Sequence, residues 1–145
     1  MNIELKKVHT FKDLTISFLI LAAGIGLYFV NAGLGILIAV CGLLLLVFYK
    51  DGHKKEGTDV VLTKKALDIA QSCRPSLKDF LDGKDVEPQI DRTAIGGVIR
   101  LEIYYNAQAS VAYAQLFDFS NYMYEPATDL VELRDERARK LIGKL

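Results

Sequence analysis

Two histidines, two cysteines and a short run of carboxylates have the widest chemical reach in this 145-residue chain, and their spacing decides what they can do. His9 and His53 stand on either side of a long apolar block. Two imidazoles at one surface could respond to pH or share a metal, but no Cys or acidic cluster stands beside them at ligand spacing, so the pair makes a weak site. Cys41 and Cys73 are too far apart in sequence for the paired thiolates of a zinc or haem-attachment motif. Cys73 also falls on an apolar stripe, which reads as core and not as a nucleophile. Asp79, Asp82, Asp85, Glu87 and Asp91 lack the spacing of a calcium-binding loop and read as a solvated edge. Gly96-Gly97 precedes a β-prone run, whereas phosphate-cradling glycines follow a strand and open a helix. A nucleophilic triad needs a histidine, and none occurs from Thr58 onward. The expectation is a non-enzymatic protein with no catalytic residue, metal or cofactor. An enzyme acting on lipid or a small molecule, with Tyr, Asp or Lys as acid or base, ranks third among the readings.

One charge asymmetry points to binding instead. Between Arg100 and Arg134 the chain carries Glu102, Asp118, Glu125, Asp129 and Glu132 and no base, with Tyr104, Tyr105, Tyr113, Tyr122 and Tyr124 interleaved. From Arg134 onward the sign reverses through Arg137, Arg139, Lys140 and Lys144. Tyrosine offers large contact area at low entropic cost. Tyr104, Tyr113, Tyr122, Tyr124, Glu102 and Asp118 are therefore the candidate surface for a protein partner. The competing reading makes the tyrosines ordinary sheet residues and lets the last helix neutralise the acids internally.

The elements that must position such a surface follow from where charge is missing. Eighteen basic and eighteen acidic residues cancel, which removes the electrostatic footprint of a nucleic-acid binder. None of them lies between Leu14 and Tyr49. As one helix that block would run about 54 Å against a hydrocarbon core of about 30 Å, so it must fold back on itself. Asn31-Ala32-Gly33 supplies turn chemistry near its middle. The prediction is a transmembrane helical hairpin over 14–49 with its turn at 31–33, Phe11 lengthening the first span. A secretory signal fits poorly, because the uncharged sequence continues far beyond Ala22-Ala23-Gly24.

Lys6, Lys7 and Lys12 precede the hairpin and Lys50, Lys54 and Lys55 follow it, while the turn carries no base. These six are the expected contacts to lipid headgroups, and they place both termini of a two-pass protein in the cytoplasm, at the inner membrane if bacterial. Residues 1–13 form a cytoplasmic arm, with Leu5, Val8 and Phe11 spaced as for a short interfacial helix. Residues 50–57 form a juxtamembrane linker. In an antiparallel hairpin centred near residue 32, Ala22 faces Gly42 and Gly26 faces Ala39. Ala22, Gly26, Gly35, Ala39 and Gly42 are thus the expected helix–helix packing positions. The spans hold no ionisable residue, which disfavours a transporter or pump.

Residues 58–145 remain for one cytoplasmic α+β domain. The spacing of Ala66, Leu67, Ile69, Ala70, Cys73, Leu77, Phe80 and Leu81 predicts a helix from Thr63 to Asp82. Pro75 kinks it or starts a second helix, and Gly83 stops it. Val98 to Tyr105 alternates as a strand and pairs with a second strand over about 109–119. Residues 121–128 turn the chain, 129–133 add a strand, and Asp135 caps a final helix. The expected order is β-α-β-β-β-α, an antiparallel sheet with helices on one face. The function expected is a small integral membrane protein anchoring a protein-interaction or regulatory module. The alternative is an oligomeric hairpin assembly, a complex or pore gated by the module. The expected partners are membrane lipid, another protein and further copies of the chain, with no nucleic acid.

Overall fold

The computed structural model describes residues 3–92 and 98–145, so the Gly96-Gly97 step lies outside the described residues. Among these, four helices and a seven-stranded antiparallel sheet give an α+β fold. The chain divides into two compact units, one of residues Lys6–Lys54 and one of Met1–Leu5 with Lys55–Leu145.

The first unit is a helical hairpin. Helix α1 (Phe11–Tyr28) opens on a capping box in which the Thr10 hydroxyl accepts from Asp13 N and the Asp13 carboxylate accepts from Thr10 N. Helix α2 (Ala32–Phe48) opens on Asn31, whose side chain accepts from Leu34 N. The turn therefore lies at 29–31 and not at 31–33: Asn31 acts as a cap, and Ala32 and Gly33 already belong to the helix. The ends of the hairpin also differ from expectation. Where an interfacial helix and a loose linker were predicted, β1 (Leu5–Val8) and β2 (Gly52–Lys55) are hydrogen-bonded neighbours. Antiparallel helices return the chain beside its own start, and two adjacent backbones satisfy their polar groups by pairing.

In the second unit, β3 (Val61–Ala70) overturns the first half of the predicted helix. Its residues pair with β4 (Val98–Asn106) from Thr63↔Tyr105 to Ala70↔Val98. Leu67 and Ile69, two apart, thereby share a buried face with Leu101 and Ile99. The second half is helical: after a 3-10 turn over Gln71–Cys73, α3 (Arg74–Leu81) carries Pro75 in its first turn, where a missing N–H costs nothing. Gly83, at φ +95°, ends it in a Schellman arrangement, with Gly83 N donating to Phe80 O and Lys84 N to Asp79 O.

Strand β5 (Val111–Ser120) pairs with β4 along one edge. Its other edge holds β6 (Met123–Pro126) and β7 (Val131–Arg134) in succession. Strand β6 was not expected: Asn121 and Tyr122 reverse the chain in two residues, leaving Met123 to pair with Ser120. The module thus runs β-α-β-β-β-β-α, one strand more than predicted, closing on α4 (Asp135–Ile142). Asp135 does not cap α4, because it is itself left-handed at φ +53° and Arg134 takes the cap position without a side-chain bond. One sheet face, through Leu67, Ile69, Leu101, Ile103, Ala114 and Leu116, packs with Leu77 and Phe80 of α3 and Ala138 and Leu141 of α4.

Candidate functional site

Because both module helices lie on one face of the sheet, residues of opposite parity look the other way, and most of the predicted tyrosine surface is among them. Three clusters of the same composition recur there. Lys64 pairs with Glu102 at 3.5 Å and sits 5.4 Å from the centre of the Tyr104 ring. Arg100 pairs with Asp68 at 3.1 Å and stacks 3.9 Å over Tyr124, whose hydroxyl is 3.4 Å from the same carboxylate. Lys55 pairs with Glu132 at 3.2 Å and lies 5.8 Å over Tyr113, whose hydroxyl is 3.4 Å from Glu132. Each cluster holds a cation, an acid and an aromatic ring, so ion pairing and cation–π attraction act on the same charge.

The third cluster is the most enclosed. Tyr113 is 3% exposed and shares a cavity of about 160 Å³ with Thr58, Val60, Leu62, Ala109, Val111 and Arg134. Burial and the adjacent Glu132 carboxylate push its phenol above the ordinary value. Burial alone would raise Glu132 as well, but hydrogen bonds from Arg134 and Lys55 outweigh it and hold the carboxyl below its usual range.

The six predicted surface residues therefore separate. Tyr104, Tyr124 and Glu102 are half-buried in the clusters, and Tyr113 is buried, which removes it from any docking surface. Asp118 belongs elsewhere: Arg74 of α3 grips it with two hydrogen bonds of 2.9 Å, and this holds its carboxyl low. Only Tyr122 is fully presented, at 95% exposure. It stands beside Phe119 and Met123, two exposed residues the sequence reading did not single out.

Of the six lysines expected at headgroups, Lys6, Lys7, Lys12 and Lys50 are exposed and Lys54 is half-buried, whereas Lys55 is committed to Glu132. In the hairpin, Gly24, Gly35 and Gly42 are buried at the seam, where an added Cβ would meet the backbones of Ala39, Tyr28 and Leu21. Gly35, Ala39 and Gly42 stand at this seam. Ala22 and Gly26 do not: both are exposed, and nothing lies within 4 Å of a Cβ built on Gly26. The facing positions are offset from the predicted pairing: Gly42 meets Leu21 in place of Ala22, and Ala39 meets Gly24 in place of Gly26.

Asp13 was missed. It is 1% exposed, and besides Thr10 N it accepts from Asp51 N at 2.9 Å and contacts His9 Nδ1 at 3.1 Å, tying the two ends of the hairpin together. The Thr10-to-Asp13 spacing is the sequence signal that could have found it. Ser17, one turn on and 2% exposed, donates to the Asp13 carbonyl. Among the described residues no group of three His, Cys, Asp or Glu side chains could hold a metal ion. No family model, no curated protein and no solved structure matches the chain.

Proposed function

We propose that this chain is a two-pass integral membrane protein whose hairpin anchors a protein-interaction module on the cytoplasmic side, with both termini there. The outward surface of the hairpin carries the proposal. Among the described residues, α1 is long and apolar enough to cross a membrane, and α2 is apolar and one residue shorter. Phe18, Leu19 and Ile25 of α1 and Leu37, Leu43 and Val47 of α2 are all exposed, while the seam is built from glycine backbones. Soluble monomers rarely expose contiguous apolar patches beyond a few hundred Å². Lipid satisfies such a surface, and lysines at both ends favour cytoplasmic termini. The partner would meet the sheet face opposite the helices, where the half-buried Tyr104 and Tyr124 clusters offer aromatic area and paired charge.

In a Cys41→Ala background, an impermeant maleimide applied to intact cells should label a cysteine placed at Asn31 and spare those at Glu4 and Gly57. Labelling from outside at Gly57 would overturn the topology. Co-purification of a partner from native membranes should be lost on joint Tyr104→Ala and Tyr124→Ala substitution. Its survival would remove the sheet face from the proposal. The open space beyond Gly26 favours a second reading, in which copies of the hairpin assemble through Ala22 and Gly26. Loss of a cross-linked oligomer on Gly26→Leu would select that reading.

A further inference from the structure

The tip of the β5–β6 hairpin has a chemistry that neither the core nor the sheet clusters use. Its two-residue turn holds Asn121 at φ +51° and Tyr122 at φ +62°. Such a turn suits glycine at its second position, and a tyrosine there is uncommon. The backbone nonetheless holds that ring 95% exposed, with Phe119 51% exposed on one face of the hairpin and Met123 63% exposed on the other. The Phe119 ring lies 5.1 Å from that of Tyr124, which braces one flank of the tip. From Phe119 to Tyr124 the sequence has no charged residue. The nearest acid before it, Asp118, is already neutralised by Arg74.

We infer that this tip, through Phe119, Tyr122 and Met123, inserts into the interfacial layer of a bilayer, a deepening that rests on the membrane-anchor reading. Two arguments favour lipid over protein. The first is area: three such side chains on a convex turn present roughly 400 Å², given the size of aromatic side chains, against the roughly 800 Å² per partner of a stable protein interface. A bilayer needs no complementary pocket. The second is charge: an uncharged tip with a phenol at its apex matches the headgroup–acyl boundary, where amphipathic rings reside. With Glu125 as its nearest free acid and no base within it, the tip matches zwitterionic lipid and gains nothing from anionic lipid.

The test uses the full chain in phosphatidylcholine nanodiscs, in a Cys41→Ala background, with an environment-sensitive fluorophore on one introduced cysteine and a shallow spin-labelled lipid as quencher. A probe at Ser120→Cys reports the tip, one at Ala107→Cys an exposed turn outside it, and one at Ile36→Cys the hairpin. Quenching at 120 should exceed that at 107 at least twofold. It should fall to the level at 107 when Tyr122→Ser and Met123→Ser are added, and it should not rise when phosphatidylserine is included. A probe at 120 no more quenched than at 107 overturns the inference, and one shielded only in native membranes replaces lipid by a protein occupant. The probe at 36 decides the anchor reading separately: quenching there without quenching at 120 leaves the anchor standing and removes the tip.

Discussion

Tyr113 and Tyr122 have the same side chain and opposite fates, and the difference lies in what reaches them from elsewhere in the chain. Tyr113 lies under the Lys55 ammonium and beside Leu62 and Val111, whereas Tyr122 is 95% exposed at a turn. Tyr113→Ala should therefore cost about 3–5 kcal/mol, as for a large buried aromatic, and Tyr113→Phe about 1 kcal/mol for a long hydrogen bond. Tyr122→Gly should instead stabilise by about 1 kcal/mol, because glycine suits the left-handed backbone. Urea denaturation of the detergent-solubilised chain would measure all three. Glu132 adds a pH dependence. Its folded-state value is lowered, so its stabilising contribution is complete above the ordinary carboxylate value and is lost as pH falls through the lower folded one. The drop in urea midpoint between pH 6 and pH 3 should be smaller in Glu132→Gln than in the parent. The excess of acid between Arg100 and Arg134 was legible in the sequence. Its neutralisation was not, because Lys55, Lys64 and Arg74 arrive through strand register and helix docking that no local window contains.

At the scale of elements, the strands with clean alternation, β4 and β5, were readable, and so were the hairpin and the two ends of α3. Strand β3 was not, because Ala66, Leu67, Ile69 and Ala70 fit one face of a helix as well as they fit a strand. An eight-residue ladder to β4 decided between them, a tertiary effect that overrides local periodicity. Small residues in the helical hairpin show the same limit: their abundance was visible, but which of them face the seam depends on the register of the two helices. That assignment can be tested. A methyl group at Gly24 or Gly35 would land on the backbone of the opposite helix, which cannot move aside as a side chain can. Gly24→Ala and Gly35→Ala should each destabilise the hairpin by about 1–3 kcal/mol, the usual cost of overpacking. Gly26→Ala meets open space and should be neutral or stabilising by up to about 1 kcal/mol, from helix propensity alone. Thermal melts in one detergent would rank the three, and equal losses at all positions would mean that Gly26 is also packed, against a second copy.

For the molecule as a whole, the division into an apolar block and a separate module was plain from the distribution of charge, but the boundary at residue 57 was placed too late. Lys55, assigned to a linker, contributes to the module by neutralising Glu132 and covering the Tyr113 ring. The module has its own continuous core, from Leu67 through Leu116 to Leu141, so a fragment from Lys54 to Leu145 should fold cooperatively without the hairpin. A fragment starting at Thr58 keeps every core residue and loses this cover, together with the end of β2 and the two hydrogen bonds that Thr58 donates to the Lys55 carbonyl. The ion pair is less than a quarter exposed on each side, so its loss together with the cation–π contact should cost about 1–2 kcal/mol. For a domain of this size that lowers the melting temperature by roughly 5–15 °C. Lys55→Met in the longer fragment should reproduce most of the drop, since it removes the charge and keeps much of the side-chain volume. Equal melting temperatures for the two fragments would show that Lys55 adds nothing to the module and would restore the boundary at residue 57.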